Sequence, residues 1–159
     1  MPATPALGFL EAAGIQHRVH PYPFDRLDRN SADTYGEAVA DLLGVASTRV
    51  FKTLIAKVDQ RPLMVIVPVS ARLSLRAMAA LASGKRALMA DPDEAQRLTG
   101  YVVGGISPFG QKRKLPAFID ASALDFSTIF VSAGQRGLQV EVETAALIDH
   151  LGARVGHLT

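Results

Sequence analysis

Residues 49–69 have the sequence RVFKTLIAKVDQRPLMVIVPV, and this stretch decides the fold. Two apolar segments, residues 49–58 and 63–69, flank the polar connection Asp59-Gln60-Arg61-Pro62. Segments rich in β-branched residues on either side of a short polar connection predict a β-hairpin. Both faces of the first segment are mostly apolar, so we expect it to lie centrally in a sheet.

Helix signals lie on both sides of this hairpin. Thr4-Pro5 and Asp91-Pro92 each place an N-cap residue before a proline, which predicts helices that end at Gly14 and Gly100. The capping-box pattern at Thr34 and Glu37 predicts another helix, after a polar, irregular segment at residues 23–33. Further helices are predicted at residues 74–84 and 144–151, and further strands at residues 16–22, 86–90, 101–103, 117–119, 128–132 and 138–142.

The order of these elements indicates the fold class. Strands and helices intermingle without a regular β-α-β alternation, and hairpins dominate the middle and the end of the chain. We therefore expect an α/β protein of the α+β type, with a mixed, largely antiparallel sheet curled toward a barrel and helices packed outside it. The 159 residues suit a single domain over residues 1–159.

Composition excludes several classes of protein. With 48% apolar and 20% charged residues, disorder is not expected. No apolar run approaches the roughly 18 residues of a membrane helix, and the first residues do not resemble a signal peptide. Cysteine is absent, which removes disulfides, thiolate nucleophiles and cysteine metal sites; we expect a cytoplasmic location.

Charge is nearly balanced overall but unevenly distributed. The net charge of +2 is too small for coating a long duplex, so DNA is not an expected partner. Residues 97–114, however, contain four basic residues and no acidic one. A compact basic patch indicates contact with one anionic group or end, although a solvated charged face would explain the patch alone.

Lys52 is the first candidate functional residue. Side chains alternate along a strand, so Lys52 shares a face with Val50 and Leu54. A lysine on such an apolar strand loses hydration and needs a partner, and it can hold an anionic or ester ligand. A lysine that extends past the sheet edge into water explains the sequence equally well.

A glycine-rich segment, residues 104–110 (GGISPFG), follows an apolar stretch. Two glycines let the backbone approach a ligand and point N–H groups at it. The segment matches neither a P-loop nor a dinucleotide-binding turn, and alone it would be an ordinary turn. The basic run Lys112-Arg113-Lys114 beside it favours a loop that binds a carbonyl group of a phosphodiester-linked substrate.

A second glycine segment, Ser132–Gly137, lies between two predicted strands. A plain hairpin turn is the favoured interpretation, and a wall of the same cavity is the alternative. His17 and His20 are three apart on a predicted strand and face opposite sides, so no metal site is expected. Because candidates for a general base or nucleophile are few, binding, orientation and carbonyl polarisation should dominate any catalysis.

Taken together, these segments resemble a known family. The resemblance is strongest in VFKTL at residues 50–54, MADP at 89–92 and TGYVVGGISPFGQK at 99–112, and it continues in LP at 115–116 and RGL at 136–138. These segments are similar to the bacterial Cys-tRNA(Pro) deacylases of the YbaK/EbsC type, relatives of the editing domain inserted in bacterial prolyl-tRNA synthetases.

The resemblance implies a curved, barrel-like mixed α/β domain that cleaves the ester between a wrong amino acid and the 3′ end of a tRNA. It implies the aminoacyl-tRNA acceptor end as substrate, prolyl-tRNA synthetase as a working partner, and neither a metal nor an organic cofactor. In that family the thiol of a cysteinyl ester is proposed to attack its own carbonyl and expel the tRNA.

Site residues are carried over by position. The essential strand lysine of the family corresponds to Lys52. The residues expected to bind substrate are Tyr22, Tyr35, Thr53, Gly104, Gly105, Ile106, Ser107, Pro108, Ser132 and Gly134, and the N–H groups of residues 105–107 are assigned to carbonyl or ribose contacts. The residues expected to contact RNA are Lys112, Arg113, Lys114 and Arg136.

Three departures leave the amino acid that is removed open. Ala133 and Gln135 stand where the family usually has glycine and lysine, and Gln139 occupies an acidic position. One alternative is a deacylase for another mischarged tRNA, such as Ala-tRNA, with water as nucleophile. Another is a non-catalytic module that binds a nucleotide or an RNA end.

Overall fold

The part of the chain that the structure describes contains five α-helices, eight β-strands and three short 3-10 helices. The structure is a computed structural model and describes residues 3–27 and 35–159. The helices are α1 (Pro5–Ala12), α2 (Tyr35–Leu43), α3 (Leu75–Leu81), α4 (Pro92–Thr99) and α5 (Thr144–Leu151). The strands are β1 (His17–Pro21), β2 (Phe51–Val58), β3 (Arg61–Pro68), β4 (Ala87–Met89), β5 (Ala117–Asp120), β6 (Thr128–Gln135), β7 (Leu138–Glu143) and β8 (Arg154–Gly156). None of the described helices is long and apolar enough to cross a membrane.

The predicted hairpin is formed by β2 and β3, and its turn is tighter than expected. Val58 pairs with Arg61, so Asp59 and Gln60 alone form the turn, both with positive φ (50° and 71°). Such a two-residue turn matches the twist of the flanking strands. The Asp59 carboxylate accepts hydrogen bonds from the N–H groups of Lys85 and Arg86 (each 3.0 Å), which fixes the turn against the start of β4.

The strands form two sheets that meet at one backbone bridge. One sheet has the order β4-β2-β3-β5-β8, in which β5 is parallel to both β3 and β8. The other, β1-β7-β6, is antiparallel throughout. A parallel bridge between Val50 and Phe130 joins β6 to the residue that precedes β2. The predicted class, a mixed and largely antiparallel α/β fold with helices outside, is confirmed; β8 was not predicted.

Three apolar clusters hold the layers together. The largest fills the space between the sheets and includes Phe51, Ile66 and Val140, with α1, α4 and α5 covering it. A second lies on the outer face of the larger sheet, where Met78 of α3 is fully buried. A third, which includes Val50 and Phe130, lies under α2 at the bridge between the sheets.

Most local signals identified the correct elements, but residues 101–103 do not form the predicted strand. Gly100 adopts a left-handed conformation (φ 80°) that ends α4, and the chain turns immediately, with the N–H of Gly105 donating to the carbonyl of Val102 (2.9 Å). Val102 and Val103 are 52% and 41% exposed, so their apolar character does not reflect a buried strand. Thr34 of the predicted capping box, and residues 28–33 of the irregular segment, lie outside the described residues.

We expect Thr4 to contribute measurably to stability, because it is the N-cap of α1 and its side chain is also hydrogen-bonded to β6. Its Oγ1 accepts from the N–H of Leu7 (3.2 Å) and donates to the carbonyl of Ala133 (2.6 Å). Thr4→Val should lower the free energy of unfolding by about 2 kcal/mol in urea denaturation. Thr4→Ser keeps the hydroxyl and should lie close to the wild type; equal stability of all three proteins would contradict this role.

Candidate active site

A cavity of about 440 Å³ lies where β2 and β6 separate beyond the Val50–Phe130 bridge. Among the described residues the bridge is the one backbone pairing between these two strands, and α2, the start of α4 and the first glycine segment supply most of the other lining residues. The cavity thus brings together seven of the residues predicted from the sequence: Tyr35, Lys52, Thr53, Gly104, Ile106, Ser132 and Arg136.

The edge of β2 forms one wall of this cavity. The pairing of β2 with β4 begins only at Ala56. The final backbone hydrogen bond on the β4 side of β2 runs from the N–H of Ala90 to the carbonyl of Ile55 (3.0 Å). Peptide groups alternate in direction along a strand, so the N–H and carbonyl of Thr53 point to the same open edge. Lys52 is half-buried at this edge and lines the cavity, which favours the ligand-binding interpretation of this lysine.

The segment 104–110 forms the opposite wall, and hydrogen bonds within and behind the segment fix its shape. Ser107 is fully buried; its Oγ accepts from the N–H of Phe109 (3.2 Å) and its carbonyl accepts from Nε2 of Gln111 (3.0 Å). The hydroxyl of Tyr101 donates to the carbonyl of Phe109 (2.6 Å). Of the loop residues predicted to bind substrate, Gly104 and Ile106 line the cavity. Gly105, Ser107 and Pro108 do not, and they instead give the loop its shape.

Arg136, predicted as an RNA contact, is bonded to this loop. Its Nε and Nη2 both donate to the carbonyl of Val103, at 3.1 and 2.7 Å. Gly104, with φ of 90°, permits the close approach, since a Cβ there would lie 2.8 Å from Nε of Arg136. Arg136 therefore fixes the position of the loop relative to the turn after β6.

The segment 132–137 is both a hairpin turn and part of the cavity wall. β6 continues to Gln135 with an irregularity after Ser132, and Arg136-Gly137 form the turn to β7. The sequence favoured the turn, and that prediction is correct, but Ser132 and Arg136 also line the cavity. Gly134 lies outside the lining and packs against Tyr101 and Thr4.

Gln139 belongs to the cavity lining, whereas Tyr22, predicted from the sequence to bind substrate, lies outside it. Gln139 on β7 lies opposite Ser132 and lines the cavity, a position the sequence marked only as a departure from the family pattern. Tyr22 is buried beside it, and its backbone N–H donates to the carbonyl of Gly137 (2.9 Å). Burial raises the pKa of the Tyr22 phenol, so this hydroxyl stays protonated.

The basic run Lys112-Arg113-Lys114 lies outside the cavity and is exposed. The N–H groups of Lys112 and Arg113 donate to carbonyls at the C-terminal end of α4. Residues near the start of the same helix line the cavity, so the helix, roughly 12 Å long, separates the two features. The predicted RNA contact of these three residues is thus not part of the cavity.

The charges of the lining indicate which ligands suit it. Among the described lining residues the ionisable side chains are Lys52, Arg136 and Tyr35, and no carboxylate or imidazole is present. Within the described part of the chain, no group of three or more His, Cys, Asp or Glu side chains could hold a metal ion. The site therefore suits an anionic or ester group, and the structure defines the protein as an α/β domain with a binding cavity for such a group.

Comparisons with known proteins agree with this class. The profile of the aminoacyl-tRNA editing domain matches residues 29–150. A protein of Enterococcus faecalis with the provisional name Cys-tRNA(Pro)/Cys-tRNA(Cys) deacylase EbsC is 31% identical over 145 residues, 91% of this chain and 88% of the relative. The Multifunctional Ser/Thr-tRNA deacylase ProXp-y of Escherichia coli K12 is 32% identical over 114 residues, 69% of this chain and 68% of the relative. This chain belongs to the aminoacyl-tRNA editing domain family.

Solved structures share the fold. A protein provisionally described as a trans-editing enzyme for prolyl-tRNA synthetase superposes with a TM-score of 0.83 at 23% identity, covering 100% of this chain and 99% of the other. The hypothetical protein APE2540 superposes with a TM-score of 0.84 at 24% identity, covering 98% and 99%.

Gly104→Ala should impair the site more than the fold. The new methyl group would meet Nε of Arg136, and alanine at φ of 90° is strained by roughly 1–2 kcal/mol. We expect kcat/KM for aminoacyl-tRNA deacylation to fall about tenfold or more. The matched control is Gly8→Ala in α1, where a Cβ meets nothing within 4 Å; similar activity losses in the two variants would contradict the role of Gly104.

Proposed function

We propose that this protein, with residues 1–159 acting as one editing domain, clears mischarged tRNA in trans by cleaving the aminoacyl ester, with Cys-tRNA(Pro) as its substrate. The observation that carries the proposal is that Lys52 and the braced glycine loop line one cavity of about 440 Å³. A cavity of this size suits a small aminoacyl group and part of the terminal ribose. The provisional name of the Enterococcus faecalis relative supports cysteine as the amino acid.

Stabilisation of the ester carbonyl is assigned to the two facing walls. The N–H of Gly105 already donates to Val102, and Ser107 is fully buried outside the lining, so we assign carbonyl or ribose contacts to the N–H groups of Thr53 and Ile106. Lys52 holds the ester region or the terminal ribose-phosphate. Fixed donors aimed at the oxygen that gains charge in the transition state supply much of the catalysis in acyl transfer.

We assign the nucleophile to the substrate or to water rather than to a side chain that lines the cavity. The described lining has no carboxylate, imidazole or thiol to activate or form one. For a cysteinyl ester we propose that the substrate thiol attacks its own carbonyl. The Escherichia coli relative, whose name refers to serine and threonine, favours water as a second route. Turnover of an alanyl ester at the cysteinyl rate would assign the reaction to water.

Two partners are proposed, the acceptor end of the tRNA and prolyl-tRNA synthetase. We propose that Lys112, Arg113 and Lys114 contact the acceptor end of the tRNA, while Arg136 acts through the loop it braces. We further propose that prolyl-tRNA synthetase supplies the mischarged tRNA, since the trans-editing enzyme that shares this fold is described as serving that synthetase. Deacylation should then proceed faster with the synthetase present than without it.

Lys52→Ala should lower kcat/KM for release of cysteine from Cys-tRNA(Pro) by about 100-fold or more, the loss typical of removing one preorganised electrostatic donor. Lys57→Ala is the matched control: Lys57 lies on the same strand but outside the cavity, paired with Glu94 at 3.0 Å. Its rate should stay within a few-fold of the wild type. Equal rates for Lys52→Ala and the wild type would remove Lys52 from the mechanism.

Replacing Lys112, Arg113 and Lys114 together by glutamine should raise KM for the tRNA and weaken its dependence on salt. Three lost phosphate contacts reduce the slope of log(kcat/KM) against log[salt] by roughly 2. The control is the triple glutamine variant of Arg61, Lys85 and Arg86, three exposed basic residues by the β2–β3 turn. An equal effect of both triple variants would show that only the net charge matters.

A further inference from the structure

Two exposed apolar side chains lie at the entrance of the cavity. The large apolar side chains that are exposed among the described residues are Leu42, Leu88, Met89, Val102, Val103 and Leu124. Of these, Met89 and Val103 line the cavity, and they are 44% and 41% exposed. The lining residues Thr53 and Gln139, in contrast, are buried. Met89 and Val103 therefore mark the entrance of the cavity, and Thr53 and Gln139 mark its inner end.

Both exposed side chains extend from a fixed backbone. Met89 is the last residue of β4 and pairs with Ala56 of β2. The N–H of Val103 donates to Oε1 of Gln96 on α4 (3.1 Å), and the Val103 carbonyl accepts both hydrogen bonds of Arg136. An apolar surface that is already ordered loses little conformational entropy when a ligand covers it. We call Met89 and Val103 the apolar rim.

The apolar rim lacks the groups that read a ligand through hydrogen bonds. A valine side chain has no donor or acceptor, and the thioether of methionine is only a weak acceptor. Exposed apolar side chains at a binding site favour a ligand with an apolar surface, because the contact removes that surface from water. The rim is thus suited to the flat face of an aromatic ring rather than to a phosphate or a sugar.

The proposed substrate carries such a ring close to its ester. In an aminoacyl-tRNA the amino acid is esterified to the terminal ribose, and that ribose also carries a base. When the amino acid occupies the inner end and Lys52 holds the ester region or the ribose-phosphate, the base is left at the entrance. Unpaired bases are commonly bound through their faces, and such binding tolerates any base because every base has a face of this kind.

We propose that the apolar rim binds the face of the unpaired terminal base of the tRNA and thereby positions the ester, without distinguishing one purine from another. The inference rests on the proposed function, because it assumes that the cavity holds the aminoacyl ester of a nucleotide. Neither Met89 nor Val103 belongs to the apolar clusters of the core, so the packing of the domain does not account for them.

Binding of a stable substrate analogue tests the inference independently of turnover. The first probe is adenosine that carries cysteine at its 3′ position through an amide bond instead of the ester, and the second is the same compound without the base. In isothermal titration calorimetry the wild type should bind the first probe about tenfold more tightly, a factor that corresponds to roughly 60 Å² of buried apolar surface. A third probe, with guanine in place of adenine, should bind within about twofold of the first.

The chain offers a matched control for each residue of the rim. Met89→Ser and Val103→Ser should each weaken binding of the adenine probe about three- to fivefold and leave binding of the base-free probe unchanged. Leu88→Ser and Val102→Ser change the preceding residues, which are similarly exposed but do not line the cavity, and these variants should bind both probes like the wild type. All four side chains lie outside the apolar clusters of the core, so the substitutions leave the fold intact.

The possible results separate this inference from the proposed function. Equal binding of the adenine and base-free probes by the wild type overturns the inference, as does an equal loss of affinity in the rim variants and their controls. A preference of about tenfold for adenine over guanine also overturns it, because hydrogen bonds to the edge of the base would then be involved. If Cys-tRNA(Pro) is cleaved although the base contributes nothing to binding, the inference alone fails. If no probe binds and Cys-tRNA(Pro) is not cleaved, the proposed function fails as well.

Discussion

The parallel bridge between Val50 and Phe130 is the contact on which the site depends. It holds β2 and β6 together at one end, where Ala40 of α2 packs on Val50 and Phe130. Because β4 begins to pair with β2 only at Ala56, the intervening edge of β2 faces an open gap. The cavity thus arises from the way the strands pair. Its walls include backbone groups, such as those of Thr53, as well as side chains.

Rigidity of the glycine loop is the second requirement. Arg136 bonds the loop from the β6–β7 turn, and Tyr101 and Ser107 bond it from inside. The described lining has neither a carboxylate nor an imidazole. Position and fixed dipoles, which need no rearrangement during a reaction, are the contributions that such a lining can make. The many internal bonds of the loop are consistent with that demand.

Local signals predicted the elements well, and the reasons for the failures are physical. The β2–β3 hairpin and α4 carry their own turn and capping residues, so their sequences sufficed. Val102 and Val103 are apolar yet exposed, because Gly100 reverses the chain before a strand can pair. The strand β8 has three residues and depends on β5 for its pairing, which no local pattern encodes.

The residues of the site also fall into two groups, those that the sequence reveals and those that only the structure reveals. Lys52 and Gly104 are unusual for their surroundings and could be recognised from sequence, but their meeting depends on where β6 leaves β2. Gln139 alternates with apolar neighbours on an ordinary strand, and only the register against Ser132 shows that it lines the cavity.

The first helix limits how far this domain can be treated as a transferable module. The segment shared with the family, residues 29–150, starts after α1. Yet a Cβ on Gly110 would lie 2.5 Å from the carbonyl oxygen of Pro5, and the ring of Phe109 stacks on that of Phe9 at 5.8 Å. A graft cut at the family limits would carry the glycine loop without the residues of α1 on which it packs, so any transplant of this domain has to include α1.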